Sequence, residues 1–488
     1  MNSIESTARP AVPKSQPAFP LPAWRALLLL SVSLIVLTGC GPKRLKSDFI
    51  GFEKAYAETS NREVLLNLAR LQNHDTTYFF KLGQISSSYK MAATLTGNGS
   101  YVIQGTGAGG NAVGGGNPGL TYENDPAFTF IPVNDETSAQ LLLKPVPAQT
   151  LYNLYLQGWR VDQLFRLMVD RIEVTAPNKN GKGCTVQTIR NSPPALRSKS
   201  SPAVDSEYLR DASSYATFLR VSAVVYGLQK HGHLLLKGTT SFVPLDPKSG
   251  IPGAADKPDT FSPKTSDIAA AAAKNEAWEF DGKQWVLGEQ VFGAQFYLND
   301  PDNIRRDILG DGRLEGLETG ESLNTVLGTL ATGFSIEEPT SGSASADSCP
   351  SIAPGTTSAH LVMRSLIGIM AAVAQEQAPF DALVNETALL PTAAANDKPL
   401  TFDQAVPPIE RLPALRLKWT SQYKSGPSLV EVNYRGGTYQ IADSTDPPLP
   451  ENQYWNRDMF RLINQLTAQV TVDISKFPLP GILRLDTN

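Results

Sequence analysis

Ile85-Ser86-Ser87-Ser88-Tyr89-Lys90-Met91-Ala92-Ala93-Thr94-Leu95-Thr96 is where the hydrophobic period of this chain changes. Ile85, Tyr89, Met91, Ala93 and Leu95 share one parity with Ser87, and Ser86, Ser88, Lys90, Thr94 and Thr96 share the other. That two-residue repeat is the mark of a strand with one apolar face. Upstream, Val64, Leu65, Leu68 and Leu71 recur at helical spacing behind Ser60-Asn61-Arg62-Glu63. This S-x-x-E box predicts a helix that starts at Ser60. Downstream, Gly97-Asn98-Gly99 ends the strand, and a glycine-rich stretch, Gly105 to Gly116, leads to a second extended piece, Ala127–Val133. Helix followed by hairpin, without a strict strand–helix–strand rhythm, predicts an α+β fold of interleaved helices and antiparallel hairpins with long inserted loops.

The same criteria extend along the chain. Asp135–Leu143 and Gln149–Ile172 read as helices separated by Pro145 and Pro147, and Thr175–Val204 reads as a long polar loop. Ser206–Leu228 is helical and His233–Leu236 is a short strand; Pro244–Pro263 is an insertion before the alanine-rich Asp267–Lys274. Trp278–Trp285 predicts a hairpin around Asp281-Gly282, since Asp-Gly supplies the positive φ of a type I′ turn. Gln295–Leu298 adds a strand, Glu321–Leu330 a helix, Ser341–Thr357 a linker and Ser358–Ala374 another helix. Strands are expected at Leu415–Trp419, Val430–Tyr434 and Thr438–Ile441, then a helix at Asp458–Leu466 and an extended end at Val470–Ile474. These elements divide into an N-terminal α+β region with the long hairpin, 51–174, and a C-terminal α+β region with inserted loops, 205–488.

The start of the chain gives a cellular address. An uncharged apolar run, Ala26–Leu37, follows Lys14 and Arg25 and ends in Leu37-Thr38-Gly39-Cys40. The run is shorter than the roughly 20 residues a membrane-spanning helix needs. It has the n-region, h-region and small cleavage residues of a secretory signal. The cysteine after Leu-x-Gly makes it a lipoprotein signal: 1–39 is removed, Cys40 is acylated, and 40–50 is a lipid tether. Gly41, where Asp would retain a lipoprotein in the inner membrane, favours the outer membrane and its periplasmic face. Apolar residues are 41% and charged residues 18%, enough for a core and too little charge for a disordered chain. With a net charge of −4 and no basic stripe, nucleic acid is not an expected partner. Beyond Cys40, Cys184 and Cys349 are the remaining cysteines, a disulfide candidate in an oxidising compartment.

Several stretches resemble a family of uncharacterised proteobacterial lipoproteins. Asn61–Leu71 with Asp75–Phe80, Phe128–Val133 with Leu141–Pro145, Leu154–Trp159 with Val169–Ile172, Arg364–Met370 and Tyr434–Tyr439 carry the resemblance. The chain departs from the family's pattern at Gln72-Asn73-His74. The resemblance implies a lipoprotein and supplies no catalytic residues. Within the shared stretches, Trp159, Arg364, Tyr434 and Arg435 are the candidates for a binding groove.

Motifs that would force a chemistry are weak. Gly105–Gly110 fits G-x-G-x-x-G, but more glycines follow where a helix should open, so no nucleotide cofactor is expected. His231-Gly232-His233 has no third ligand at zinc spacing, and Asp300–Glu315 does not match a calcium loop, so no metal is expected either. Ser87 and Lys90 form S-x-x-K on a strand, which puts the two residues on opposite faces, and no G-x-S-x-G occurs. The expected function is a lipid-anchored, non-enzymatic binding or scaffolding component of the envelope. The alternatives are a periplasmic hydrolase of an envelope polymer, or a subunit of an oligomeric export or pore complex. At about 11 residues, Ile85–Leu95 has the length of a membrane-crossing β-strand. A return strand through Glu123, Asp125 and Pro126 would carry charge toward lipid, at about 2–4 kcal/mol per charge near the midplane. A hairpin packed on the helix at Val64–Leu71 accounts for the alternation without that cost.

Overall fold

The computed structural model describes residues 41–96, 117–132, 140, 142–177, 184–197, 206–245, 262–273, 276–280, 285–299, 334–336, 358–386, 389–390, 399–421, 430–442 and 449–471. The fold is α+β, with helices interleaved between a seven-stranded mixed sheet, a three-stranded antiparallel sheet and a two-stranded ribbon. The chain divides into two compact units at Asn61/Arg62. In the unit up to Asn61 the described residues are helical; among the described residues the sheets belong to Arg62–Asn488.

Helix α1, Gly41–Gln72, runs straight through Ser60–Glu63, so the expected capping box does not start a helix there. Glu63 has another use: its carboxylate accepts the backbone N–H of Phe80 at 2.7 Å. Val64, Leu65 and Leu68 are buried in the main core. Strands β1, Phe80–Thr96, and β2, Asn117–Pro132, form the ribbon, and neither packs extensively on another described element. Directly paired residues share a face. One face carries Leu82/Phe130, Ile85/Phe128, Met91/Tyr122, Ala93/Leu120 and Leu95/Pro118, together with Ser87/Pro126 and Tyr89/Asn124. The other carries Lys81/Ile131, Ser86/Ala127, Ser88/Asp125, Lys90/Glu123, Ala92/Thr121 and Thr94/Gly119.

The single helix expected over Gln149–Ile172 is three elements: α2, Ala148–Leu156; α3, Val161–Met168; and the first residues of β3, Val169–Pro177. Gly158, at φ +87°, ends α2. The Trp159 N–H bonds the Leu154 carbonyl at 3.2 Å and the Gly158 N–H bonds that of Tyr155 at 3.0 Å, a Schellman closure that needs a left-handed residue at Gly158. Helix α3 ends because Asn191 supplies its C-terminal carbonyls with donors. The Asn191 amide donates to the carbonyls of Phe165, Arg166 and Val169 at 3.2, 3.0 and 2.7 Å.

Strand β4, Cys184–Arg190, pairs antiparallel with β3 from Pro177↔Cys184 to Arg171↔Arg190, inside what reads in the sequence as a polar loop. It is an edge strand, and the polar residues of a half-solvated edge have the composition of a loop. The remaining strands of this sheet are β5, Leu234–Pro244; β6, Glu276–Phe280; β7, Trp285–Leu298; β8, Phe334–Ile336; and β9, Ser358–Met363. Their order is β4-β3-β9-β8-β7-β5, with β6 also on β7 and only β8–β9 parallel. The sheet draws strands from both sides of Thr175–Val204. The β6–β7 hairpin forms where expected, but Phe280 faces Trp285; a two-residue turn at Asp281-Gly282 would face it with Lys283. Those turn residues lie outside the described residues.

Strand β9 replaces the first part of the helix expected over Ser358–Ala374. Ala359, Leu361 and Met363 alternate inward, and the helix begins only after Ser365, whose hydroxyl accepts the Gly368 N–H at 3.1 Å. Helix α4, Ser206–Lys230, matches its expected span to within two residues, and its second half, Val221–Val225 with Gly227 and Leu228, is buried in the core. It packs on α3, β4 and β5. Helices α5, Thr265–Ala272, α6, Leu366–Gln375, α7, Gln377–Val384, and α8, Phe402–Ala405, precede the small sheet. That sheet has the order β10-β12-β11, with β10 Leu417–Thr420, β11 Glu431–Tyr434 and β12 Gly437–Ile441. Helix α9, Trp455–Thr471, packs on α6 and β12 and includes Val470, where an extended end was expected. No helix among the described residues is long and apolar enough to cross a membrane. Cys40, the glycine-rich Gly105–Gly116, Asp300–Glu315, Glu321–Leu330 and Ser341–Thr357 lie outside the described residues.

Candidate functional site

Of the four residues expected to form a groove, the structure brings two together. Tyr434 ends β11, and Arg435-Gly436 is the two-residue turn to Gly437 of β12, with φ of 46° and 76°. Positive φ at both central positions is the type I′ geometry that suits a hairpin's twist, and glycine or asparagine occupies it without strain. Arg435 is neither. Across from it, α1 ends in the same way: His74 sits at φ 59°, and the Asp75 N–H closes back on the Arg70 carbonyl at 2.9 Å. His74 and Arg435 are the two non-glycine residues with positive φ among the described residues. Asp75, the residue after His74, joins the two turns through its carboxylate. Asp75 Oδ2 accepts the Tyr434 hydroxyl at 2.6 Å, and Oδ1 accepts Arg435 Nη2 at 2.7 Å.

Asn73 adds a third tie, donating from its amide to the Ala69 carbonyl and to the Tyr439 hydroxyl, each at 2.7 Å. The hydrogen bond to Asp75 holds the Tyr434 phenol above its ordinary pKa. Beside this clamp is an open hollow of about 350 Å³, lined by Ser421, Asn433, Tyr434, Arg435, Gly436, Gly437 and Thr438. Gly437 is obligatory for a close approach, because a Cβ there would lie 2.1 Å from Trp419 Nε1. The Thr438 hydroxyl donates to Asn433 Oδ1 at 2.8 Å, fixing the hollow's floor. With an exposed guanidinium, hydroxyls and main-chain groups, this surface suits hydrogen-bonded recognition of an acidic or polar group.

Trp159 and Arg364 are elsewhere and buried. The Trp159 ring lies under the Arg461 guanidinium at 5.0 Å, and its carbonyl accepts the Gln229 amide. Arg364 donates to the Asn191 carbonyl and pairs with Glu376 and Asp170 at 3.4 and 3.7 Å, tying the start of β3 and the residue after β4 to the β9–α6 connection and the end of α6. Cys184 is the first residue of β4, and Cys349 lies outside the described residues. His231 and His233 flank Gly232, at φ +75°, in the closing turn of α4; His233 is buried, and no metal-binding cluster occurs among the described residues.

A buried charge cluster lies outside every expected site. Arg166 on α3 donates to Glu410 Oε2 at 2.8 Å, to the Leu412 carbonyl at 2.7 Å and to the Tyr215 hydroxyl at 3.4 Å. Arg160 pairs with Asp162 at 2.5 Å, and both guanidiniums lie over the Trp455 ring. Desolvation pushes the Glu410 carboxyl up to about 7 against the pull of Arg166, with the Asp162 charge adding to the rise. The Tyr215 phenol is pushed up to about 12 by the same burial. Arg166 and Glu410 are sealed in the core, so they serve to join α3 to the Pro408–Glu410 turn. No known protein family, curated protein or solved structure matches the chain.

Proposed function

We propose that this protein is a lipid-anchored outer-membrane lipoprotein, facing the periplasm, that binds or scaffolds another envelope component through the hollow beside Asp75. The observation that carries this reading is the exposed turn residue Arg435, held at a left-handed φ of 46° with its guanidinium on the Asp75 carboxylate, which also takes the Tyr434 hydroxyl. Left-handed backbone at a residue with a side chain costs about 1–3 kcal/mol and persists where a specific placement of that side chain is needed. The lipoprotein signal at Leu37–Cys40 and the resemblance to lipoproteins support the address. The hollow supports recognition: its polar groups are held by bonds to each other, which limits the ordering cost of binding.

Arg435→Gly tests the site. Glycine relaxes the turn, so thermal stability should hold or rise, while crosslinking capture of the envelope partner bound by the natural chain should drop about tenfold or more, the size of one charge-assisted contact. Capture that is unchanged by Arg435→Gly sinks the site. Metabolic labelling with an alkynyl fatty acid tests the anchor: label should be present in the natural chain and lost in Cys40→Ser. An unlabelled natural chain sinks that half of the proposal.

A further inference from the structure

All four charges of the β1–β2 ribbon, Lys81, Lys90, Glu123 and Asp125, fall on one face, and none on the face that carries Ile85/Phe128 and Met91/Tyr122. Charge on the return strand is thus no obstacle to lipid on the opposite side. The ribbon's edges decide how lipid is met. A proline can pair in a ladder only where its nitrogen faces away from the partner strand. Pro118, Pro126 and Pro132 share one parity along β2 and all pair with β1, so three nitrogens on the outer edge of β2 have no proton to donate. A membrane-spanning barrel must satisfy every edge group by pairing with the next strand, and this edge lacks a donor at Pro126, in the middle of the span. At the headgroup level water reaches both edges, and no such seam is needed.

We propose that the β1–β2 ribbon is a membrane-contact element that lies in the bilayer interface, its apolar face in the acyl boundary and its charged face toward water. Three observations carry it: the segregation of charge, the freedom of both strands from extensive packing on other described elements, and the proline-blunted edge. Its two lysines and two carboxylates cancel, so attachment rests on apolar contact and does not select anionic lipid. The ribbon gives the chain a membrane contact that is independent of any acyl group at Cys40.

The test uses the chain Gly41–Asn488, which has no acylation site, in flotation with phosphatidylcholine vesicles. It should float, and high salt should not release it. Met91→Glu with Tyr122→Glu, a directly paired couple on the apolar face, should lower the bound fraction about tenfold or more. Lys90→Gln with Glu123→Gln, a couple on the charged face, should leave it unchanged. Both double variants should unfold at the natural urea midpoint, because the ribbon does not hold the core. Protein that stays with the pellet, equal losses for both couples, a shifted midpoint, or a detergent-extracted ring that conducts ions would each overturn the proposal. Failure of Gly41–Asn488 to float, with the natural chain still labelled by alkynyl fatty acid at Cys40, would leave the lipid anchor standing and remove only the ribbon.

Discussion

Glu410 and Arg166 are both buried, yet they are not equivalent partners. A carboxyl already held near 7 takes a proton cheaply, whereas a guanidinium cannot shed one. Glu410→Leu therefore strips the Arg166 guanidinium of its carboxyl acceptor and should cost about 1–3 kcal/mol in urea unfolding. Arg166→Leu lets Glu410 go neutral and should cost clearly less. The pH dependence follows from the raised carboxyl. Its stabilising contribution is full below the unfolded carboxylate range and is lost as pH rises through about 7. Between about pH 5 and about pH 8, the difference in urea midpoint between the natural chain and Glu410→Gln should grow in favour of the variant. A difference independent of pH would show that Glu410 does not titrate in that window. None of this cluster announces itself in the sequence: Arg166 sits among Leu164, Phe165, Leu167 and Met168 on a helix buried on every side, where periodicity would place a solvent face.

At the scale of elements, local signals are legible and distant ones are not. The alternation from Ile85 to Thr96 locates β1, and the apolar run of α4 locates that helix to within two residues at its end. The boundary between α3 and β3 is hidden because Asn191 terminates the helix from 22 residues beyond Val169. Asn191→Ala should cost about 1–3 kcal/mol by leaving buried carbonyls without donors. Hydrogen exchange should localise the loosening to α3 and the β3–β4 pair. Strand β9 reads as helix because its inward residues, Ala359, Leu361 and Met363, are good helix formers that become strand only against β3. The Asp75 clamp joins residues 359 apart, so no local pattern could assemble it. The signal within reach is Arg435-Gly436 between strands, which asks for two positive φ values and so marks Arg435 as held in place against its preference.

Over the whole molecule, the fold class is legible because hairpins and helices alternate without a crossover rhythm, while the way the sheet closes is not. Strand β9 lies between β3 and β8, pairing with one antiparallel and with the other parallel. One flank of the sheet is β3 with β4; the other is β8 with β7 and β5. During synthesis the first flank is complete long before Ser358 leaves the ribosome, and it has no neighbour until then. The order of manufacture therefore opposes the order of assembly: the middle is made after both sides. Pairings of such sequence separation are slow to form. Pulse-labelled amides of β3 and β9 should become protected in the same kinetic phase, and protection of β3 ahead of β9 would contradict this. For a nascent chain, the interval between Val169 and Met363 is a period of exposed strand edge, and a chaperone that masks such edges would act on this protein during that interval.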